Sequence, residues 1–130
     1  MTTDTEVLYH CFEELAEIDG DIATEVYRKF TAATPEAQRH IGYTDTRMRG
    51  RMLDQIYRLL LDDVDEDYLK FETDMHKGYG ADTGLYRGLL TAVKDSVSEA
   101  LEERWTTAHN AAWDRTIERI VSNIAQLTAE

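Results

Sequence analysis

A single proline, Pro35, stands in the 130 residues of this chain, and three of its seven glycines crowd together at Gly78, Gly80 and Gly84. A sheet-rich domain needs turn residues about every 8–12 positions, and these are missing. Long helices joined by short connections remain, so the expected fold class is all-α. A chain of this length is expected to form one domain, residues 1–130, and to bury a core without disulfide staples. With 42% apolar and 31% charged residues it differs from a disordered segment.

Helical periodicity divides the chain. Val7, Leu8, Cys11, Phe12 and Leu15 share one helical face. Asp19-Gly20-Asp21 interrupts, and Ile22, Val26, Tyr27 and Phe30 form a second stripe. Thr34-Pro35-Glu36 reads as cap, first helical residue and first-turn acid of a short third helix. A loop from Gly42 to Thr46 leads to a fourth stripe of Met48, Met52, Leu53, Ile56, Leu59 and Leu60. An acidic loop from Asp62 to Asp67 precedes a short fifth helix through Tyr68, Leu69, Phe71, Glu72 and Met75, ending at Gly78. Asp82 or Thr83 caps a sixth helix carrying Tyr86, Leu89, Leu90, Val93, Val97 and Leu101. Trp105-Thr106 breaks it. Thr106 or Thr107 then opens a last helix with Trp113, Ile117, Ile120, Val121, Ile124 and Leu127 inward. Short helices set between long ones argue against an up-and-down bundle. They favour a gap between the long helices, where helical proteins hold ligands.

Charge and motifs exclude several functions. Fourteen Lys and Arg face 26 Asp and Glu, a net charge of −12, which argues against nucleic acid or an anionic membrane as partner. The longest apolar run, Leu59-Leu60-Leu61, is far below the ~20 residues that span a bilayer. Met1 to Glu6 lacks the basic region and apolar core of a secretory leader. The one cysteine, Cys11, allows no internal disulfide and no cysteine-rich zinc site; on an apolar helical face it is expected to be a buried thiol. The expected compartment is the cytoplasm. Asp63, Asp65 and Asp67 alternate like the start of a calcium loop, but Tyr68 and Asp74 stand where that loop needs Gly and Glu. Nucleophile elbow, phosphate loop and His-Glu-x-x-His are absent. Gly78-Tyr79-Gly80 has no preceding strand to make it a dinucleotide fingerprint. Nothing points to a hydrolase or a nucleotide enzyme.

Among His10, His40, His76 and His109, the context of His76 differs. It sits near the end of a short helix, in Met75-His76-Lys77-Gly78-Tyr79-Gly80, with Tyr86 on the next helix. A histidine there, facing a gap between long helices, can hold an iron porphyrin through one ring nitrogen. Its other ring nitrogen would donate to a backbone carbonyl of the preceding turn.

Here the sequence resembles the globins, specifically the bacterial single-domain haemoglobins and the globin halves of flavohaemoglobins. Val26-Tyr27-Arg28-Lys29-Phe30 followed by Thr34-Pro35-Glu36 is similar to the family's second helix and its turn into the third. Arg49-Gly50-Arg51-Met52-Leu53, leading to Ile56 and Leu59-Leu60-Leu61, resembles the distal helix. His76, Tyr79, Gly80 and Tyr86 resemble the proximal histidine with its succeeding glycine and tyrosine. Trp105-Thr106 with Ala112-Trp113 resembles the junction of the last two helices. The similarity runs from about residue 20 to the C-terminus. It implies a globin-like fold of about seven helices crossing at about 50° around a haem pocket, without the short fourth helix of vertebrate globins.

The resemblance also implies roles. His76 would be the iron ligand, and the haem would be b-type, since Cys-x-x-Cys-His is absent. Tyr27 would donate a hydrogen bond to bound O₂ and slow its release. Leu53 would shape the pocket and exclude water. Arg49 stands where the family often has glutamine or histidine, and a guanidinium there would turn to a haem propionate or to solvent; Arg47, Thr44 or water could close the distal side instead. The ring stacked on the porphyrin falls on Ile41 or Tyr43, with Tyr43 favoured. Lys77, Arg47 and Arg51 are candidate propionate partners, and Tyr79 and Tyr86 would border the proximal side. Leu90, Val93, Val97, Trp113 and Ile117 would pack the haem wall or the core beneath it.

The expected function is a haem protein that binds O₂ reversibly, and NO or CO as well, with oxidation of nitric oxide to nitrate as an accompanying activity. The 130 residues leave no room for a flavin or NADH domain, so that activity would need an external reductase. The alternative is a gas- or stress-sensing regulatory globin acting through a partner protein, with or without haem. A homodimer through the two C-terminal helices is a further expectation, which an exposed apolar stripe on them would support.

Overall fold

Thr3 opens the first helix by accepting the amide of Glu6 on its hydroxyl at 3.1 Å, one of the orphan donors at a helix start. The computed structural model describes residues 3–18, 21–33, 35–41, 46–61 and 83–128, together with residues 67 and 70. Among these residues all regular structure is helical: α1 (Asp4–Glu17), α2 (Ala23–Ala33), α3 (Pro35–Ile41), α4 (Thr46–Leu60), α5 (Thr83–Leu101), a single 3₁₀ turn (Glu102–Arg104) and α6 (Thr107–Thr128). The expected short fifth helix through Met75 lies outside the described residues, and so does Thr34. Asp21 starts α2 by accepting the Ala23 amide at 3.0 Å, and Pro35 takes the first position of α3, where a missing N–H costs nothing.

The core follows the predicted stripes. Leu8, Cys11 and Leu15 of α1, Val26, Tyr27 and Phe30 of α2, and Leu53, Ile56 and Leu60 of α4 are buried. From α5 come Leu89, Leu90, Val93, Val97 and Leu101, and from α6 Trp113, Ile117, Ile120, Val121 and Ile124. Met48 departs from the expectation: it is 42% exposed, because the apolar face of α4 is covered only from its second turn onward. α2 lies on α5 and turns into α3, α1 lies on α6 and α5, α5 on α6, and α4 touches α6. Lys94–Asp114 at 2.6 Å and the Arg87–Glu118 pair set α5 and α6 antiparallel. Arg115 grips Asp4 through two bonds of 3.0 and 2.8 Å, tying α6 to α1, and holds that carboxyl below its usual range. Lys29 reaches Glu99 at 2.7 Å between α2 and α5.

The corner after α5 is the tightest point of the chain. Glu102 takes a left-handed φ of 50°, a conformation that costs a side-chain-bearing residue ~1 kcal/mol. Trp105 is extended, and its amide returns to the Glu102 carbonyl at 3.1 Å. Thr106 then caps α6 reciprocally: its hydroxyl accepts the His109 amide at 3.2 Å, and His109 Nδ1 accepts the Thr106 amide at 3.0 Å. This is a capping box with histidine where glutamate or glutamine is usual. Glu102→Gly is expected to raise stability by about 0.5–1 kcal/mol, read as a higher urea midpoint at unchanged slope.

Candidate functional site

Two of the residues assigned to the distal side, Tyr27 and Arg49, meet where α2 passes the start of α4. Tyr27 shares a buried stripe with Ile22 and Val26, and only 7% of it is exposed. Its turn is held by Thr31, whose hydroxyl donates to the Tyr27 carbonyl at 2.8 Å. The Tyr27 hydroxyl crosses to α4 and donates to the backbone carbonyl of Arg49 at 2.6 Å. The Arg49 guanidinium lies 5.7 Å from the centre of the Tyr27 ring, within cation–π range. Leu53, one turn further along α4, is 3% exposed. Arg49 therefore neither stands alone beside the site nor points only to solvent: it is stacked on the tyrosine.

Burial pushes the Tyr27 phenol up to about 12, with the Arg49 charge pulling the other way. At neutral pH Tyr27 is a donor, never a phenolate. Tyr57 of α4, half-buried, is raised as well, by burial first and then by Asp21, Asp54 and Tyr27 nearby. Linkage gives the sign for stability. The fold favours the neutral Tyr27 phenol, so its contribution is full below about 10, the value of a free phenol, and is lost as pH rises toward about 12. In an alkaline absorbance titration, Tyr27→Phe is expected to remove one late-titrating phenol.

Behind this pair lies a run of rings. Tyr57 is 4.9 Å from Phe12, Phe12 is 5.8 Å from Trp113, and Trp113 is 6.0 Å from Trp105, measured between ring centres. Trp113 is fully buried, and its indole N–H has no hydrogen-bond partner. The Cys11 thiol of α1 lies near it. Burial raises the thiol above its usual range, the indole N–H opposes this, and Glu14 adds to the rise. Cys11 is thus buried and poorly ionised, as its place on the apolar face predicts.

The structure brings together Tyr27 and Arg49, and it buries Leu53 one turn along α4. Tyr86 is half-buried on α5 and packs against the core. Leu90, Val93, Val97, Trp113 and Ile117, expected to form the haem wall or the core beneath it, are all buried. Arg47 and Arg51 are exposed. His76, Lys77, Tyr79, Tyr43 and Thr44 lie outside the described residues, and the Ile41 side chain does too. Among the described residues, no three His, Cys, Asp or Glu side chains are placed to hold a metal, and no helix is long and apolar enough to cross a membrane. The large apolar side chains exposed among them are Tyr9, Ile18 and Met48. None lies on α5 or α6, where the outward residues include Arg87, Glu99, Asp114, Arg115 and Glu118, all in ion pairs.

Sequence reasoning missed two roles. The Arg49 carbonyl is an acceptor that any residue would supply, so no letter of the sequence could mark it. His109 had a signal, the spacing Thr106-x-x-His109, which reads as a capping box once histidine is admitted at the third position. Compared with protein-family models and with curated proteins, the sequence has no match.

Proposed function

We propose that this chain is a haem-binding globin that takes up a diatomic gas ligand, O₂ first and NO or CO as well, at an iron held by His76. One observation carries the reading: the hydroxyl of Tyr27, itself only 7% exposed, reaches from α2 to the start of α4, the helix that also carries the buried Leu53. This supports the distal side that the resemblance assigns. The helix order and the pairings α1 with α6, α2 with α5 and α5 with α6 support a globin-like fold.

The residues present fit b-type haem on the distal side. A small ligand bound to iron needs a hydrogen-bond donor in surroundings without water. Tyr27, 7% exposed and protonated at neutral pH, is such a donor. Leu53 and Phe30, on the same two helices, are buried apolar residues. Haem, when bound, supplies an iron with an open coordination position. The chain's own part is to hold that iron through a His76 ring nitrogen, to aim the Tyr27 hydroxyl, and to keep water out with Leu53. With an external reductase, the same site would suit oxidation of nitric oxide to nitrate.

A second reading is favoured by one observation. The Tyr27 hydroxyl is already satisfied inside the protein, as it would be in a regulatory globin that needs no gas ligand and acts through a partner protein. An absorption spectrum decides between the two. The expected result is a strong Soret band that shifts on adding dithionite and then CO. A chain that stays colourless after haem is added back overturns the haem reading and leaves the regulatory one.

A further inference from the structure

The Tyr27 hydroxyl is engaged before any ligand arrives. Its acceptor, the Arg49 carbonyl at 2.6 Å, belongs to the first turn of α4. The guanidinium of the same residue lies 5.7 Å from the centre of the tyrosine ring, so one residue of α4 holds both ends of Tyr27. The hydroxyl bond ties the first turn of α4 to α2. A hydroxyl has one proton to donate. It cannot serve the Arg49 carbonyl and a ligand at the same time.

We propose that Tyr27 is a latch between α2 and the start of α4: a small ligand that accepts its hydrogen bond takes the hydroxyl from the Arg49 carbonyl and frees the first turns of α4. The inference rests on the distal reading of Tyr27. Coupling of this kind is reciprocal. Whatever holds α4 down competes with the ligand, and the ligand loosens α4 in turn. The start of α4 then reports occupation of the site to whatever binds the outside of that helix. Tyr27 acts here as a positioning residue for α4, through the main chain of Arg49 and not through its side chain.

Amide hydrogen exchange on the full chain tests this in two arms. In the haem-free chain, Tyr27→Phe is expected to speed exchange in residues 46–53 about five-fold, the worth of one net hydrogen bond, with α5 and α6 unchanged. Arg49→Ala keeps the carbonyl and is expected to leave that exchange slow. No change in Tyr27→Phe, or an equal change in Arg49→Ala, overturns the latch. In the haem-loaded ferric chain, cyanide is expected to speed exchange in residues 46–53 of the wild type and to have no such effect in Tyr27→Phe. A wild type whose α4 ignores cyanide overturns it too. If the chain takes up no haem, the proposed function fails, and the haem-free arm alone decides the latch. If Tyr27→Phe does not fold, the cyanide response of the wild type decides it.

Discussion

On the proposed haem reading, a His76→Ala chain is expected to lose haem binding, or to hold haem more than ~100-fold more weakly, since loss of the ligand itself exceeds the 10–100-fold cost of losing a partner behind a ligand. The readout is the Soret band after haem is added to the purified chain. Far-UV circular dichroism is expected to stay helical, because the core among the described residues is supplied by α1 to α6, none of which contains residue 76. Adding free imidazole is expected to restore part of the band by supplying the missing nitrogen. A variant that keeps a normal five-coordinate ferrous spectrum would place the iron ligand on another residue. His76→Ala and Tyr27→Phe separate cleanly: the first should remove the cofactor, and the second should leave it bound with a changed ligand release.

Trp113→Ala is expected to cost about 3–5 kcal/mol, the range for emptying a large buried aromatic site. Trp113 is fully buried and joins α6 to two other parts of the fold: α1, through Phe12 at 5.8 Å and the nearby Cys11 thiol, and the corner, through Trp105 at 6.0 Å. Single domains have only about 5–15 kcal/mol in total, so the variant should sit close to unfolding at room temperature. Trp113→Phe should be far milder. The indole N–H has no hydrogen-bond partner to lose, and the ring that remains can still meet Phe12 and Trp105. Urea midpoints of the two variants measure the difference; equal losses would mean that the N–H near Cys11 carries the energy, not the ring.

Much of the fold was legible because helix periodicity and caps are local. The stripe Leu53, Ile56, Leu60 repeats at helical spacing and is buried as that spacing predicts. Pro35 opens α3, and Thr106 caps α6. Met48 fell on the same stripe and is exposed, since periodicity says which face is apolar but not how far a neighbour extends to cover it. Tyr27 and Leu53 could be named from the resemblance as distal residues. That the Tyr27 hydroxyl is satisfied by the Arg49 backbone, and that the guanidinium stacks on its ring, could not. Both depend on where two separate helices cross.

The chain's residues by themselves determined that it is helical, where most helices begin and end, and which faces are apolar, because these properties come from scarce proline and glycine, capping chemistry and 3.6-residue spacing. Only the tertiary structure decided which groups meet: the hydroxyl of α2 with a carbonyl of α4, the indole of α6 with the thiol of α1, and the ion pairs that set α5 against α6. Such contacts are fixed by the packing of whole helices around a shared core, a global balance of volumes that no local stretch of sequence contains.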